Sequence, residues 1–238
     1  MIAVSEKPIN QQPALEKYPP QLENGDHLTA REFLRRYEAM PEVKKAELVG
    51  GIVYMASPIR VDQHAEPDAL IQMWLGVYSA STPGLRHATN ATVRLGSDDV
   101  VQPDAFLRLD PGSGGRSQID PKGYLSGPPE LAAEVAASSV SIDTREKLNS
   151  YRRASVREYF VWRTQEKAID WWFLEGDDYV PLPRENDGTI KSRVFPGLWL
   201  DVTALLNANG AAVLARLQEG LKSPEHKAFV ESLQPKAK

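Results

Sequence analysis

The stretch from Val100 to Tyr151 decides the fold, because it holds two acidic strand segments and then a helix. Val100-Val-Gln-Pro-Asp104 is typical of a strand that ends on a carboxylate, and Glu130-Leu-Ala-Ala-Glu134-Val-Ala predicts a second strand that carries another. The amphipathic segment from Ser141 to Ala154 then supplies Lys147. Acids on neighbouring strands can hold a hard cation, and a nearby lysine can stabilise charge at phosphorus. The pattern therefore favours metal-dependent cleavage of a phosphodiester.

The length and composition of the chain are those of a globular protein. With 238 residues it can bury a full core in one large domain. The absence of cysteine excludes disulfides and thiolate metal sites, and it fits a reducing compartment. No apolar run is long enough to span a bilayer, and the first residues lack the pattern of a signal peptide, so we expect a cytoplasmic protein without membrane contact.

The net charge of -4 argues against a protein that coats nucleic acid nonspecifically. An acidic enzyme can still contact a few phosphates if its basic residues are clustered. Two basic clusters are present: Arg31, Arg35, Arg36, Lys44 and Lys45 form the first, and Arg145, Lys147, Arg152, Arg153 and Arg157 form the second. Each cluster fits a nucleic-acid contact or the solvated face of a helix, and the sequence leaves both open.

The chain divides into a tail, a domain and an extension. Residues 1–26 are rich in proline without apolar periodicity, which predicts a mobile tail. We expect the folded domain over residues 27–205 and a helical extension over residues 206–238. The capping box Thr29-Ala-Arg-Glu32 predicts a helix that runs to about Met40.

Turn residues and periodicity divide the domain further. The β-rich residues from Ala46 to Ala56 flank Gly50-Gly51, which predicts a hairpin. A helix is expected from Asp62 to about Ala80, with Pro67 in its first turn. The Gly-, Pro- and Ser-rich residues 111–129 predict a mobile loop. Further strands are expected at residues 86–95, 100–109, 158–162 and 168–174.

Side-chain alternation suggests how the polar residues converge. If the two acidic strands pair, Asp104 and Glu134 meet across a gap of about 4.8 Å, which two carboxylates can close around one cation. Asp143, Lys147 and Tyr151 recur every four residues, so they share one face of the following helix. Lys147 is then the cation nearest to the two acids.

Seven short motifs follow one another along the chain, and together they extend over about residues 28–205. In order they are Glu47-Leu-Val-Gly-Gly, His64, Pro103-Asp104, Glu134-Val-Ala, Asp143-x-x-x-Lys147-x-x-x-Tyr151, Val156-Arg-Glu-Tyr-Phe-Val and Ser192-x-x-Phe195-Pro-Gly-Leu. No single motif is specific, but the ordered series is. This series resembles the Uma-two family of endonucleases, a branch of the PD-(D/E)XK nuclease superfamily.

The resemblance implies an α/β fold with a restriction-endonuclease-like core, in which helices flank a mixed sheet. It also implies hydrolysis of DNA that depends on Mg²⁺, with Mn²⁺ able to substitute. By position, Asp104 and Glu134 would be metal ligands, and the Val135 carbonyl would be a further ligand. Glu47 matches the acid that the first core element contributes, so the implied catalytic residues are Asp104, Glu134, Lys147 and Glu47.

The chain departs from the superfamily pattern at two places. Ala136 occupies the position where the lysine usually stands, two residues after the second acid. Lys147 is the expected substitute, since Uma-two-like sequences share this move to the following helix. Trp162-Arg163 stands where the family tends to show Val-Asp, and we expect this change to affect packing more than chemistry.

Each site residue also has a purely structural interpretation. Asp104 could end a strand, and Glu134 could be a paired structural acid, but a glutamate inside an apolar run needs a partner, which favours function. Lys147 alone fits a surface or a site equally well. We interpret His64 as a surface or structural histidine and Tyr151 as a packing residue.

Two other functions compete with the nuclease hypothesis. The first is a catalytically silent member that binds DNA or a protein partner through the same surface, and cation binding would distinguish it. The second is a metal-dependent hydrolase of another phosphoester, which would turn over small molecules but not plasmid DNA. Two-fold symmetry suits the cutting of both strands of a duplex, so a homodimer is one expectation, although the sequence shows no diagnostic interface.

Overall fold

The computed structural model describes residues 19–234, which form fourteen strands and six α-helices. The strands are β1 (Ala46–Val49), β2 (Ile52–Met55), β3 (Leu85–Thr89), β4 (Val93–Arg94), β5 (Val100–Val101), β6 (Ala105–Leu109), β7 (Gln118–Ile119), β8 (Leu125–Ser126), β9 (Leu131–Ala136), β10 (Glu158–Arg163), β11 (Ala168–Glu175), β12 (Asp178–Pro181), β13 (Thr189–Lys191) and β14 (Trp199–Asp201). The helices are α1 (Ala30–Tyr37), α2 (Glu66–Ala80), α3 (Leu148–Arg153), α4 (Val202–Leu206), α5 (Gly210–Leu221) and α6 (Pro224–Leu233).

The central sheet has six strands in the order β12-β11-β10-β9-β6-β3. Its β9 and β10 strands run parallel, while the other neighbours are antiparallel. The segment that contains α3 makes the crossover between the two parallel strands, as parallel pairing requires. The sheet is therefore mixed, as predicted.

Helices cover one face of the central sheet. The buried residues of α2 are spaced as predicted for an amphipathic helix, and they include Ile71, Trp74, Leu75 and Tyr78. Trp74 meets Trp171 of β11 edge to face, with 5.5 Å between ring centroids. Val213 and Leu217 of α5 are buried in the same cluster, so the predicted C-terminal extension shares the core of the central sheet.

A second sheet, in the order β2-β1-β5-β4-β8-β7, packs with α3 on the other face. The hairpin of β1 and β2 forms around Gly50 and Gly51 as predicted, and both glycines have positive φ. Helix α1 packs on this sheet through Phe33 and Leu34. The sheet carries β1, and therefore Glu47, toward the central strands.

The predicted loop over residues 111–129 contains regular structure. It holds a 3₁₀ turn at Pro111–Ser113 and the paired strands β7 and β8. Strand β8 also pairs parallel with β4, and Leu125 is buried in the core. Interpreting the whole segment as a loop was wrong, because two-residue strands are too short to show an alternating pattern.

The boundaries near the N-terminus also differ from expectation. Residues 1–18 of the predicted tail lie outside the described residues, but Leu22 is buried against the α1 cluster. The Gly25 N–H donates to the Val53 carbonyl at 2.8 Å, so folded contacts begin before residue 27. Helix α1 ends at Tyr37. Thr29 caps it as predicted, whereas Glu32 bonds to arginines of α1.

Residues 19–234 contain no helix that combines the length and the apolar character needed to cross a bilayer.

Candidate active site

Strand pairing brings Asp104 and Glu134 together. The predicted strand over residues 100–109 is two strands on separate sheets, β5 and β6, and Asp104 directly precedes β6 instead of ending a strand. Strands β6 and β9 are antiparallel, and Ala105 pairs with Ala133, so Asp104 lies beside Glu134. The Val135 N–H donates to Asp104 Oδ2 at 2.9 Å. Both acids are only 2% exposed, and both line a cavity of about 370 Å³, which we call the catalytic cavity. The predicted convergence of the two acids is therefore observed.

Lys147 projects from the helical crossover toward Glu134. Together with Asp104, Glu47 and Asp143, these residues form one polar group, which we call the cluster. Lys147 Nζ lies 2.8 Å from Glu47 Oε2, 3.0 Å from Glu134 Oε1 and 3.4 Å from Asp143 Oδ1. Only 4% of Lys147 is exposed, which excludes the interpretation as a surface lysine. A single buried ammonium thus links three carboxylates.

The start of the crossover helix is a π-helical turn, Ile142–Lys147, that continues into α3. Two contacts hold this turn against the sheet: the Tyr159 hydroxyl donates to the Asp143 carbonyl oxygen at 2.9 Å, and the Ser139 hydroxyl donates to the Asp143 carboxylate. π-Helical turns occur frequently at functional sites, since they redirect side chains. Here the turn presents Asp143 and Lys147 to β9.

Tyr151 combines packing with a polar contact. Its ring lies against Tyr159 with 4.7 Å between centroids, as the packing interpretation predicts. Its hydroxyl also donates to Glu134 Oε1 at 2.9 Å. The predicted helix face of Asp143, Lys147 and Tyr151 therefore forms, and all three residues reach the cluster.

Glu47 connects the second sheet to the cluster. Its Oε1 accepts from the Gln102 N–H at 2.6 Å, while its Oε2 contacts Lys147. The side chain lines the catalytic cavity together with Asp104. The predicted site residue Glu47 is thus part of the cluster even though it lies on a separate sheet.

Two basic side chains that the sequence interpretation did not assign to the site contact Asp104. Lys45 Nζ lies 2.9 Å from Asp104 Oδ1, and His64 Nε2 lies 3.3 Å from Asp104 Oδ2. The contact with Asp104 gives His64 a partner of the kind that a structural histidine has. A sequence signal existed for Lys45, because it shares a strand face with Glu47 two residues later.

A polar stripe leads from His64 along α2. His64, Asp68 and Gln72 recur every four residues, which places them on one helix face. Gln72 Nε2 donates to Asp68 Oδ1 at 2.7 Å and to the Asp104 carbonyl oxygen at 2.7 Å. This stripe is the sequence signal that identifies the α2 face turned toward Asp104.

The two departures from the superfamily pattern have different surroundings. Ala136 is fully buried in an apolar cluster that includes Val161 and Tyr151. Its methyl group carries no charge, so this position of β9 supplies no cation to Glu134. Trp162 belongs to the main core, and Arg163 pairs with Asp170 at 2.6 Å. The second departure thus affects packing, as expected.

The basic clusters do not form two continuous cationic faces. Arg35 and Arg36 pair with Glu32, while Arg152 pairs with Asp178 and Arg153 with Asp99. Lys147 is buried, and Arg157 precedes β10 at the end of the sheet opposite to the cluster. Only Lys45 and Lys147 of these two clusters contact the proposed site acids, within residues 19–234.

The ionisation of the acids reflects burial and neighbouring charge. Burial raises the pKa of Glu134 to about 8, with Lys147 opposing this and Asp104 adding to it. Burial alone would raise the pKa of Asp104 too, but the His64 hydrogen bond and the charge of Lys45 hold it well below its usual value. Burial also opposes the charge on Lys147, yet Glu134 and Glu47 raise its pKa well above the ordinary value. Asp104 therefore stays ionised at neutral pH.

The donor set fits a hard divalent cation. Four carboxyl groups (Glu47, Asp104, Glu134 and Asp143) face two lysines, so the cluster holds more acidic oxygens than its ammonium groups can pair. No three Asp, Glu or His side chains among residues 19–234 are grouped to hold a metal on their own. A cation would therefore rely on two carboxylates, a backbone oxygen and water, which suits Mg²⁺ because it usually keeps several waters.

Comparisons with known proteins bear on the fold and the family of this chain. A crystal structure described as "a putative nuclease belonging to DUF820" from Anabaena variabilis matches with a TM-score of 0.56 and 12% sequence identity, over 74% of this chain and 98% of that one. This likeness confirms the predicted α/β fold of restriction-endonuclease type. No curated protein matches the sequence. Residues 30–203 match the Uma2 sequence family, described as "Putative restriction endonuclease". Because this match spans most of the chain, the protein belongs to the Uma2 family.

Proposed function

We propose that this protein is a Mg²⁺-dependent endonuclease that hydrolyses phosphodiester bonds of DNA. One observation carries the proposal: Asp104 and Glu134 lie side by side on adjacent strands, with the buried Lys147 against Glu134, and both acids line one cavity. The descriptions of the Uma2 family and of the Anabaena protein support a nuclease in general. The choice of metal and of DNA rests on the chemistry of the site.

Asp104 and Glu134 would hold the cation, with the Val135 carbonyl as a third protein ligand. Bound Mg²⁺ would supply Lewis acidity, which polarises a phosphoryl oxygen and lowers the pKa of a bound water. Asp104 is held in place for this task, since Val135 donates to one of its oxygens and Lys45 contacts the other. Its low pKa keeps the carboxylate available as a ligand at neutral pH.

Lys147 would offset the charge that develops on the phosphoryl oxygens. The contacts with Glu47 and Asp143 fix its ammonium beside Glu134, so little reorganisation is needed during the reaction. Glu47 then acts as a positioning residue for Lys147 and contributes negative charge to the cavity. Tyr151 orients Glu134 in the same way through its hydroxyl.

The test is a nuclease assay on supercoiled, linear and single-stranded DNA with Mg²⁺ or Mn²⁺, and with a chelator as a blank. We expect Asp104→Asn to remove cleavage in every case. Asp178→Asn is the matched control, because that side chain is 85% exposed and lies away from the cavity. Absence of cleavage by the unmodified protein on every DNA form, or full activity in Asp104→Asn, would refute the proposal.

Calorimetric titration with Mn²⁺ separates the nuclease from a catalytically silent relative. An active nuclease binds the cation and cleaves, whereas a silent protein binds DNA without cation-dependent cleavage. Asp104→Asn should weaken Mn²⁺ binding, because one of its two carboxylate ligands is lost. Unchanged Mn²⁺ affinity in this variant would remove Asp104 from the ligand set.

A further inference from the structure

A second cavity of about 290 Å³, which we call the outer cavity, adjoins the catalytic cavity. The two share His64, Ser57 and Ser138, so one continues into the other. The catalytic cavity is lined by four carboxylates, but the lining of the outer cavity contains none. Arg60, Gln63, Gln165 and serine hydroxyls supply its polar groups, a composition that suits an anion.

Arg60 is a free cation at this place. Its Nη1 donates to Gln63 Oε1 at 3.4 Å, and no carboxylate of residues 19–234 lies within ion-pair distance of it. The nearby Arg163, by contrast, is engaged by Glu166 and Asp170. A guanidinium without a carboxylate partner keeps most of its N–H donors available for bidentate contact with a phosphate.

Gln63 holds the cavity wall in a defined shape. Its Oε1 accepts from both Arg60 and Gln165, the latter at 3.2 Å, and its backbone carbonyl accepts from the Thr164 hydroxyl at 2.8 Å. These bonds tie the turn before α2 to the turn after β10. The Gln63 side-chain oxygen already accepts two hydrogen bonds, so the groups that this side chain can offer to a ligand are its amide N–H donors.

The loop around Arg60 also offers apolar surface. Ile59 and Val61 flank Arg60 and are 64% and 65% exposed, although large apolar side chains are usually buried. Ile59 lines the catalytic cavity. A cation between two exposed apolar side chains suits a ligand that joins phosphates to sugars and bases.

We infer that the outer cavity is a second phosphate subsite, in which Arg60 and Gln63 bind a phosphate next to the one that is cleaved. This inference rests on the proposed function and extends it to a second point of substrate contact. His64 lies at the border, since it contacts Asp104 and lines both cavities. The metal-binding acids would receive the reacting phosphate, and Arg60 with Gln63 would receive its neighbour.

The experiment compares Arg60→Gln with Arg157→Gln. Arg157 is a matched control, because it is also exposed and unpaired among the described residues, but it lies at the far end of β10. Binding of a labelled oligonucleotide is measured in chelator over a series of KCl concentrations, so this readout does not depend on cleavage. Cleavage of the oligonucleotide and of bis(p-nitrophenyl) phosphate, which has one phosphate, is then measured with Mn²⁺.

We expect Arg60→Gln to weaken oligonucleotide binding about tenfold. The slope of log affinity against log salt should also become shallower by roughly 0.7 to 0.9, as loss of one phosphate contact predicts. The ratio of oligonucleotide cleavage to bis(p-nitrophenyl) phosphate cleavage should fall about tenfold as well. Cleavage of DNA without any turnover of the small ester by the unmodified protein would also support the inference.

Three results would overturn it. If Arg60→Gln and Arg157→Gln have the same binding and the same salt slope while the unmodified protein cleaves DNA, the outer cavity holds no phosphate and only this inference fails. An equal loss on both substrates would show that Arg60 serves the reacting phosphate itself. If the unmodified protein neither binds nor cleaves DNA, the proposed function fails first and the inference falls with it.

Discussion

Two buried glutamates on neighbouring parallel strands have opposite surroundings. Among residues 19–234, Glu158 in β10 accepts only from neutral donors, whereas Glu134 in β9 contacts the ammonium of Lys147 and accepts from the hydroxyl of Tyr151. The donors to Glu158 are the Ser192 hydroxyl, the N–H groups of Arg193 and Val194, and the Trp171 indole N–H. Glu134 lines the catalytic cavity, while Glu158 is enclosed.

The comparison shows that a raised pKa does not by itself identify a functional acid. Burial is the main cause in both cases, and it raises the pKa of Glu134 to about 8 and that of Glu158 to about 7. The difference lies in the partners. Fixed neutral donors occupy the carboxylate of Glu158, so it is not available to a ligand. Glu134 shares Lys147 with other acids and faces the catalytic cavity, so it can exchange a partner for a ligand. This difference indicates a structural role for Glu158 and supports the role that we propose for Glu134.

Glu158 also explains why two distant motifs occur together. It lies within Val156-Arg-Glu-Tyr-Phe-Val, and its donors come from the start of Ser192-x-x-Phe195-Pro-Gly-Leu. The carboxylate fixes the turn that follows β13, and this turn places Phe195 against Tyr78 of α2. These two motifs therefore serve the fold, while the motifs around Asp104, Glu134 and Lys147 form the site.

The largest expected effect is a difference in the rate of DNA cleavage between Glu134→Gln and Glu158→Gln. Glu134→Gln should lower the rate of DNA cleavage on the order of a thousandfold, because it removes a charge aimed at the cation and the reacting phosphate. Glu158→Gln should cleave at close to the rate of the unmodified protein under conditions where it is folded. Initial rates with Mg²⁺, together with circular dichroism of both variants, measure this. A similar loss in both variants would break the comparison.

Lys147→Ala tests the cation that distinguishes the two sites. We expect cleavage to fall roughly a hundredfold, as loss of one preorganised charge-stabilising donor does. The variant should also lose about 3 to 5 kcal/mol of unfolding free energy, since Glu47, Glu134 and Asp143 then lack their shared partner.

Lys122→Ala is the control for this prediction, because Lys122 forms an exposed pair with Glu38. Rates and urea unfolding are measured for both variants, with and without Mg²⁺. Mg²⁺ should stabilise Lys147→Ala more than the unmodified protein, since the cluster then carries more uncompensated charge. Full activity in Lys147→Ala would exclude a catalytic role for this lysine.

The pH dependence of the unfolding free energy tests the structural role of Glu158. Its pKa rises from the ordinary 4.5 to about 7 on folding, so the folded protein holds this proton more tightly than the unfolded chain. The contribution of Glu158 to the unfolding free energy is therefore fully present at low pH, and it is lost as the pH rises from about 4.5 to about 7. The loss should amount to about 3 kcal/mol at most. Urea unfolding at several pH values should show a weaker decline for Glu158→Gln, and an unchanged pH profile would contradict this.

The smallest expected effect concerns the orientation of Glu134. Tyr151→Phe keeps the ring against Tyr159 but removes the hydroxyl that donates to Glu134, so cleavage should fall about tenfold with little change in folding. Tyr179→Phe is the control, because its hydroxyl donates to the Val156 carbonyl away from the cavity. Steady-state rates decide between them, and equal rates for the two variants would leave Tyr151 as a packing residue.

Local patterns in the sequence were sufficient to predict several elements and the proximity of Asp104, Glu134 and Lys147. The spacing of apolar residues predicts α2, and the Gly50-Gly51 pair predicts the first hairpin. Alternation along strands and four-residue recurrence on a helix bring Asp104, Glu134 and Lys147 toward one place. These features could be predicted because strand alternation and helix spacing act over a few residues.

Only the tertiary structure decided what surrounds those residues. Lys45 contacts Asp104 across 59 positions of sequence, and Glu47 accepts from the Gln102 amide across 55. The strands β7 and β8 are too short to show a period, and three donors of Glu158, from Ser192, Arg193 and Val194, lie more than thirty positions after it. Such contacts depend on how separate segments pack, and packing leaves no local period in either segment. The sequence by itself therefore determined that Asp104, Glu134 and Lys147 converge, while the arrangement of the strands and helices added Lys45 and decided which glutamate opens to a cavity and which is enclosed by neutral donors.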